Sequence, residues 1–278
     1  MIARVGDHSL HREWLNAPGE LRNWDLILSY YGDLLETVGG GDWLLMAEKG
    51  TKWPVLHGLI QKNIDLIRQY DYVWLPDDDL ACSCRDINRL FEICREEDIE
   101  LAQPALTHDS YFSHTLTLYS PAFRLRYTSF VEIMAPCFRT DTLLKFLSTF
   151  KENLSAGGLE YLWSALLGPA AAMAVIDEVR IRHTRRIGSG PFYQLLQAAG
   201  TSLMEDMNRL IEKHRLRRRH WTRSAIRVTG EPLPDGFRFL CLYMWGLLRA
   251  APKMKVRRRH LPYVWLSALY QQVKGRRP

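Results

Sequence analysis

The segment from Tyr70 to Leu80, YDYVWLPDDDL, constrains the fold of this chain more than any other. Tyr72 to Leu75 is a run of large apolar residues, which is typical of a buried strand, and a proline ends it. Asp77, Asp78 and Asp79 follow directly. Open α/β sheets bind ligands beyond the carboxyl ends of their strands. The segment therefore predicts a strand that delivers three carboxylates to a binding cleft.

Three adjacent carboxylates favour a cation. They repel one another and are costly to remove from water, so a hard divalent ion stabilises such a cluster. Mg²⁺ and Mn²⁺ prefer oxygen ligands and can bridge a diphosphate. We therefore expect Mn²⁺ or Mg²⁺ as the cofactor. The alternative is a solvated acidic turn without a ligand.

Strand-like and helix-like segments alternate through the first two-thirds of the chain, as in α/β proteins. We expect strands at 2–5, 24–31, 43–47, 72–75, 101–106, 114–119, 126–134 and 173–181. We expect a helix at 53–70, which Thr51 caps, and a second helix that starts after Ser83. Two further helices are expected near 141–150 and from about 158. Beyond Gly190 the pattern becomes mainly helical.

The aspartates resemble the Asp-x-Asp motif of GT-A glycosyltransferases, with Asp77 and Asp79 as its ends. Segments such as VGDHSLHREWL, NWDLILSYYGD and FVEIMAPCF resemble a bacterial and plant family over roughly residues 4 to 193. Its plant members are labelled lysine-ketoglutarate-reductase trans-splicing related, a label that implies no tested chemistry. The GT-A resemblance implies a mixed-sheet, Rossmann-like α/β domain that binds a nucleotide-sugar donor.

The resemblance also implies roles for the acidic triplet. GT-A enzymes use the first aspartate for the ribose of the donor and the last for the metal on its diphosphate. Asp77 then has the nucleoside role and can also reach the metal, Asp78 lies beside the donor, and Asp79 binds the metal. His183 ends an alternating strand and resembles the late histidine that completes the metal shell. The alternative for His183 is an ordinary hydrogen-bonded strand end.

Other residues are candidates by their context. Glu160 resembles the acidic residue at a helix start that acts as general base, and a helix N-terminus favours its ionised form; the alternative is an ordinary first-turn glutamate. Gly6 and Asp7 end the first strand, where the base and ribose would lie. Lys52 is a candidate for the donor phosphates or else a surface charge. Glu132 lies in a segment that GT-A enzymes place near the acceptor.

The net charge of +6 is unevenly distributed. From Thr201 onward there are 18 Lys/Arg and 5 Asp/Glu, and the basic runs HRLRRRHW, KMKVRRRH and KGRRP lie beside apolar segments. We therefore expect a GT-A-like domain at 1–190 and a basic, mainly helical extension at 191–278. Basic clusters beside apolar helix faces favour an anionic membrane surface as partner over nucleic acid. The remaining alternative is a solvated face over a packed helical cap.

The GT-A resemblance therefore implies a metal-dependent glycosyltransferase that acts on a glycan or lipid-linked acceptor. No segment reads as a signal peptide or a membrane span, and five cysteines are more typical of free thiols than of a disulfide framework. We therefore expect a cytoplasmic protein that can associate with the inner face of a membrane. The alternatives are a metal-dependent nucleotidyltransferase and a non-catalytic polyanion- or membrane-binding protein with a degenerate GT-A fold. The sequence contains no glycine-rich phosphate loop, which argues against dehydrogenases and P-loop kinases.

Overall fold

The computed structural model describes residues 1–16, 19, 21–34, 38–45 and 48–275. Its strands are β1 (Ile2–Val5), β2 (Ile27–Tyr30), β3 (Trp43–Leu45), β4 (Tyr72–Trp74), β5 (Leu80–Ala81), β6 (Leu101–Leu106), β7 (Phe123–Thr128), β8 (Cys137–Arg139), β9 (Met173–His183), β10 (Thr222–Arg227) and β11 (Pro232–Pro234). Its α-helices are α1 (His11–Leu15), α2 (Lys52–Lys62), α3 (Ile64–Ile67), α4 (Cys84–Glu96), α5 (Thr140–Phe146), α6 (Leu159–Leu167), α7 (Pro191–Ala198), α8 (Leu203–Lys213), α9 (Phe237–Ala250) and α10 (Leu261–Gly275). Short 3₁₀ helices lie at Thr115–Thr117, Leu147–Lys151, Ala251–Lys253 and Arg258–His260.

The strands form two sheets. β1, β2 and β3 are parallel and lie in that order. The larger sheet has the order β11-β10-β7-β9-β6-β8-β4, and β5 pairs with the end of β9. Within it β6 and β9 are parallel, whereas the other neighbouring pairs are antiparallel. The protein is therefore a mixed α/β fold with a mostly antiparallel central sheet, which confirms the predicted fold class at this level.

Strand β9 is the central element that connects the core to the site. Residues 173–177 are all buried, and beyond them buried and exposed residues alternate. Val179 and Ile181 therefore lie on the buried face with His183, while Arg180 and Arg182 are exposed, as the sequence alternation predicted. The strand carries His183 to the point where it pairs with Leu80, one residue after the acidic triplet.

Several sequence predictions were wrong in detail. The helix expected over 53–70 is interrupted at Asn63, and the hydroxyl of Thr51 makes no capping hydrogen bond. The strand expected at 114–119 is a 3₁₀ turn with loop on either side. The strand expected at 126–134 ends at Thr128. The third strand was expected to reach Ala47, but residues 46 and 47 lie outside the described part of the chain.

The C-terminal region is mainly helical, as expected, but it also contributes two strands to the larger sheet. β10 pairs antiparallel with β7, and β11 pairs with β10. Only Thr222 and Ala225 of β10 are buried and the strand contains two arginines, so its sequence carries little period-two signal. Within the described ranges, no helix has the length and apolar character needed to span a membrane.

Candidate active site

The acidic triplet lies in a folded environment between the ends of β4 and β5. Asp78 and Asp79 are 5% and 7% exposed, whereas Asp77 is half-buried. The backbone there is held by neighbouring segments, because the amide of Asp77 donates to the carbonyl of Met134 at 2.8 Å. The carbonyl of Asp79 accepts from both the amide and the hydroxyl of Thr184, at 3.1 and 2.8 Å. The triplet is therefore not a solvated turn.

Asp78 connects three loop segments. Its Oδ2 accepts from the amide of Gly6 at 2.9 Å and from the hydroxyl of Tyr31 at 2.8 Å, and its Oδ1 accepts from Arg185 at 2.9 Å. Its backbone carbonyl accepts from the amide of Leu10 at 2.8 Å. Both carboxylate oxygens are thus engaged within the protein. Asp78 organises the ends of β1 and β2 against the triplet.

Asp79 faces His183. The Nε2 atom of His183 lies 3.2 Å from Oδ2 of Asp79, and its Nδ1 donates to the carbonyl of Tyr111 at 2.8 Å. Burial lowers the pKa of His183, but the hydrogen bond and charge of Asp79 outweigh it, so the pKa is raised. The second oxygen, Oδ1 of Asp79, is buried without a hydrogen-bond partner among the described residues. A buried carboxylate oxygen without a donor is a position that a ligand can satisfy.

Asp77 is paired with Lys52. The ammonium of Lys52 donates to Oδ1 of Asp77 and to the carbonyl of Leu75, both at 2.7 Å, and reaches the carbonyl of Ile133 at 3.2 Å. An ammonium has three protons, so these oxygens occupy its capacity. The sequence proposed Lys52 for the donor phosphates, whereas the structure places it against the first aspartate. Desolvation raises the pKa of Asp77, Lys52 lowers it and Asp79 raises it, with a net rise.

Gly6 and Asp7 lie at the end of β1, as expected. A Cβ on Gly6 would lie 2.7 Å from the ring of Tyr31, so a larger residue there would displace this ring. Asp7 accepts hydrogen bonds from the hydroxyl of Tyr30 and from the amides of Asp33 and Leu34. The Tyr30 hydrogen bond lowers the pKa of the Asp7 carboxyl. Asp7 is therefore an ionised carboxylate that fixes the loop after β2.

Glu160 occupies the first turn of α6 and is 8% exposed. Burial raises its pKa to about 7, although backbone amides at the helix start oppose this shift. The backbone amides at the helix start favour the ionised form of Glu160, as expected, but desolvation outweighs them. Its Oε2 is buried without a hydrogen-bond partner in the described ranges. Such a carboxyl exchanges a proton near neutral pH.

Glu132 is a second buried carboxyl in the same region. It is 7% exposed, and its amide donates to Oε1 of Gln103 on β6 at 2.6 Å. Burial and the charge of Glu160 raise its pKa to about 8, while His183 lowers it and Asp77 raises it slightly. Glu132 is therefore within electrostatic range of Glu160, His183 and Asp77. Its Oε2 also has no hydrogen-bond partner among the residues that the structure describes.

The fold thus brings together most of the predicted residues. One set surrounds the triplet, and Glu132 and Glu160 form a buried pair electrostatically connected to it. Two contributors were missed from the sequence: Tyr31, which donates to Asp78, and Arg185, which contacts Asp78 and lies 4.0 Å from Asp79. Arg185 follows His183 by two residues, so extending the β9 alternation past the histidine would have suggested it.

Asp79 and His183 are the candidate donors for a divalent ion in this region. Asp79 has an unpartnered oxygen, and Nε2 of His183, which now faces Oδ2 of Asp79, would bind a metal only after losing its proton. Within the described residues, no group of three or more histidine, cysteine or acidic side chains is arranged to hold a metal. Mg²⁺ in substrate sites is commonly bound through one or two carboxylates together with substrate phosphates and water, and Asp79 is a carboxylate with an unpartnered oxygen here.

Residues 44–126 match a family described as "Protein of unknown function (DUF707)", which is less than half of the chain but includes the acidic triplet. No curated protein matches the chain.

Two similar solved structures are A197 from STIV and S. aureus TarS 1-349 in complex with UDP-GlcNAc. The first has a TM-score of 0.32 and 9% identity, and covers 85% of this chain and 94% of that chain. The second has a TM-score of 0.39 and 10% identity, and covers 97% of this chain and 71% of that chain. Similarity at this level does not indicate a shared activity, so a functional assignment depends on the side chains of this chain.

Proposed function

We propose that this protein is a GT-A-type glycosyltransferase that transfers a sugar from a nucleotide-diphosphate-sugar donor with the help of Mn²⁺ or Mg²⁺. One observation carries the proposal. Oδ1 of Asp79, Oε2 of Glu132 and Oε2 of Glu160 are all buried without a hydrogen-bond partner among the described residues, and Glu132 is close enough to Glu160, His183 and Asp77 for their charges to affect its pKa. Structural ion pairs do not explain the buried, unpartnered oxygens of Glu132, Glu160 and Asp79.

The donor side of the site consists of the triplet and the end of β1. Asp79 and His183 would hold the divalent ion, which when bound neutralises negative charge on the diphosphate. Oδ1 of Asp77 is paired with Lys52, but the side chain of Asp77 is 40% exposed. Its carboxylate can therefore accept hydrogen bonds from the ribose hydroxyls of the donor. Asp78, Tyr31 and Arg185 hold the loops that form this edge, because the aspartate accepts from both of the other side chains.

The acceptor side consists of the two buried glutamates. In an inverting reaction Glu160 takes the proton of the acceptor hydroxyl while that oxygen bonds to the anomeric carbon. The bond from the anomeric carbon to the donor phosphate oxygen breaks, and the nucleoside diphosphate leaves with the electron pair. Since the pKa of Glu160 is about 7, a large fraction of it is ionised and able to act as a base near neutral pH. Glu132, with a higher pKa of about 8, remains largely protonated there and can donate to a sugar oxygen.

A thermal-shift screen of nucleotide sugars with and without Mn²⁺ tests the proposal. A ligand that binds only the folded state raises the melting temperature, by an amount that grows with its concentration over its dissociation constant. We expect one donor to raise the melting temperature, and to do so only with the metal present. The stabilising donor is then tested for release of nucleoside diphosphate with candidate acceptors. Absence of stabilisation by any nucleotide sugar would contradict the proposal, and release of pyrophosphate from a nucleoside triphosphate would instead indicate a nucleotidyltransferase.

A further inference from the structure

The C-terminal helices α9 and α10 each have two opposite faces. On α9 the buried residues Phe239, Tyr243 and Ala250 share one side, and the exposed residues Phe237, Cys241, Trp245 and Leu248 share the other. Residues three or four apart lie on the same face of a helix, and these exposed positions follow that spacing. Phe237 and Trp245 are 83% and 57% exposed. The helix therefore presents a stripe of large apolar side chains to its surroundings.

The same arrangement occurs on α10. Ala268, Gln272 and Gly275 are buried on one side. Tyr263, Leu266, Tyr270 and Val273 are exposed on the opposite side, at spacings of three or four residues. The two helices contact each other, and both place buried residues in the same core cluster, which includes Phe239, Tyr243 and Ala268. Both apolar stripes therefore face away from that core.

The charge of this region is of one sign. From Gly236 to Pro278 the chain has ten Lys/Arg and no Asp/Glu. The bases on the two helices and on the connector between them are exposed, including Arg238, Arg249, Arg257 to Arg259 and Lys274. Arg249 lies over the ring of Trp245 and Lys274 over the ring of Tyr270, at 5.4 and 5.1 Å from the ring centroids. Cations thus flank the aromatic residues of both stripes.

We propose that the exposed faces of α9 and α10 form a docking surface for an anionic lipid bilayer. The aromatic and aliphatic stripes enter the boundary between headgroups and acyl chains, where aromatic rings with polar neighbours are favoured. The flanking lysines and arginines contact the anionic headgroups, and each contributes on the order of 1 kcal/mol to binding. Nucleic acid would use the same charges but would not require the apolar stripes.

This surface is physically connected to the candidate active site. Lys255, in the connector between α9 and α10, lies 4.2 Å from the ring centroid of Tyr111. The carbonyl of Tyr111 is the acceptor for Nδ1 of His183. When α9 and α10 are docked on a membrane, the connector that carries Lys255 therefore lies close to the loop that holds His183. The docking surface does not depend on the glycosyltransferase proposal.

Flotation of the full chain with lipid vesicles tests the proposal. The vesicles contain phosphatidylcholine alone or phosphatidylcholine with about 30% phosphatidylglycerol, and the salt concentration is roughly 0.1 M. At that concentration exposed charges more than about 10 Å apart are largely screened. We expect flotation with the anionic vesicles and little with the neutral ones. The double substitution Trp245→Glu with Leu266→Glu should reduce binding at least tenfold. The control pair Leu166→Glu and Val228→Glu, which replaces residues that are also exposed, should leave it unchanged.

The charges are tested separately. Replacing Arg257, Arg258 and Arg259 with glutamine should weaken binding at least tenfold, whereas Lys62→Gln, Arg85→Gln and Lys145→Gln together should have little effect. Three outcomes would overturn the proposal. The first is that the wild-type protein fails to float with anionic vesicles. The second is that the Trp245/Leu266 variant floats as well as wild type while the triple-arginine variant does not, a result that indicates a surface for polyanions rather than for lipid. The third is that sedimentation shows a dimer and that Trp245→Glu dissociates it. The exposed face of α9 and α10 would then be an interface with a second copy of this chain.

Discussion

Nε2 of His183 lies 3.2 Å from Oδ2 of Asp79, although 104 residues separate the two in the chain. The contact exists because Leu80 pairs with His183 across β5 and β9, which aligns the end of one strand with the end of the other. Asp79 retains a second, buried oxygen with no hydrogen-bond partner in the described part of the chain. The contact therefore engages one oxygen of Asp79 and leaves the other open to a ligand.

Asp79→Asn should abolish metal-dependent stabilisation by the donor. The substitution removes the negative charge while keeping the shape of the side chain, so it separates ligand binding from packing. We expect the wild-type rise in melting temperature with donor and Mn²⁺ to disappear, and sugar transfer to fall at least a hundredfold. Asp65→Asn, at a side chain that is 94% exposed, is the matched control and should behave as wild type. Retention of metal-dependent stabilisation by Asp79→Asn would contradict the assigned role.

Glu160 should control the pH dependence of the reaction. Its pKa is about 7, so the rate should rise with pH through that value as the carboxylate forms. Glu160→Gln should lower kcat by about 10² to 10⁴-fold and remove this rise. In Glu132→Gln the midpoint should stay near 7, because Glu132 has the higher pKa and is still protonated when Glu160 ionises. Initial rates between pH 5.5 and 9 provide the measurement, and a rate independent of pH over that range would exclude Glu160 as the base.

The same glutamates should make the protein less stable at high pH. Folding raises both pKa values from 4.5, to about 7 for Glu160 and about 8 for Glu132. The contribution of the two carboxyls to stability is therefore fully present below pH 4.5 and is lost as the pH rises through these folded-state values. Glu132→Gln should therefore lessen the fall in the free energy of unfolding between pH 5 and 8.5, by an amount on the order of 2 kcal/mol. Urea denaturation at several pH values measures this. Glu212→Gln, at an exposed position on α8, should leave the pH dependence as it is in wild type.

Arg126 and Asp177 form a buried pair, and both side chains are fully inaccessible. The guanidinium donates to both carboxylate oxygens, at 2.7 and 2.9 Å, and to the carbonyls of Leu116 and Leu118. Arg126→Met leaves a buried carboxylate without its counter-ion and should cost about 3–5 kcal/mol in urea denaturation.

A double substitution isolates the charge effect. Arg126→Met with Asp177→Leu should be less damaging than the sum of the two single changes, because it leaves no unpaired charge. The control Arg68→Met breaks an exposed pair with Asp65 and should cost less than about 1 kcal/mol. Additive effects in the double variant would show that the two charges are not coupled.

Gly157 determines how closely α8 approaches the start of α6. A Cβ on Gly157 would lie 2.4 Å from the carbonyl oxygen of Leu203, which is backbone and cannot rotate away. Gly157→Ala should therefore destabilise the protein by about 1–3 kcal/mol and disturb the helix start that carries Glu160. Gly58→Ala is the matched control, because a Cβ at Gly58 meets no described atom within 4 Å. The higher helix propensity of alanine should stabilise α2 by about 1 kcal/mol. Thermal melts of both variants should shift in opposite directions.

Local sequence patterns determined several elements of this fold. The apolar runs at 2–5 and 101–106 form β1 and β6 with the predicted bounds, because burial on both faces selects continuous hydrophobic strands. Ser83 caps α4 through a reciprocal pair of hydrogen bonds with Asp86, a local interaction that a short motif encodes. The alternation of β9 places His183 on its buried side for the same reason. In each case residues that are close in the chain contain the whole signal.

Only the tertiary structure decided how the site is arranged. Lys52 is paired with Asp77 and Asp78 is enclosed by Gly6, Tyr31 and Arg185, which are contacts between segments far apart in sequence. The raised pKa values of Glu132 and Glu160 likewise depend on burial, which is a property of the packed interior, and that of Glu132 depends also on the charge of Glu160. A sequence specifies which groups can ionise, but the surroundings that set their charge exist only after the chain has folded.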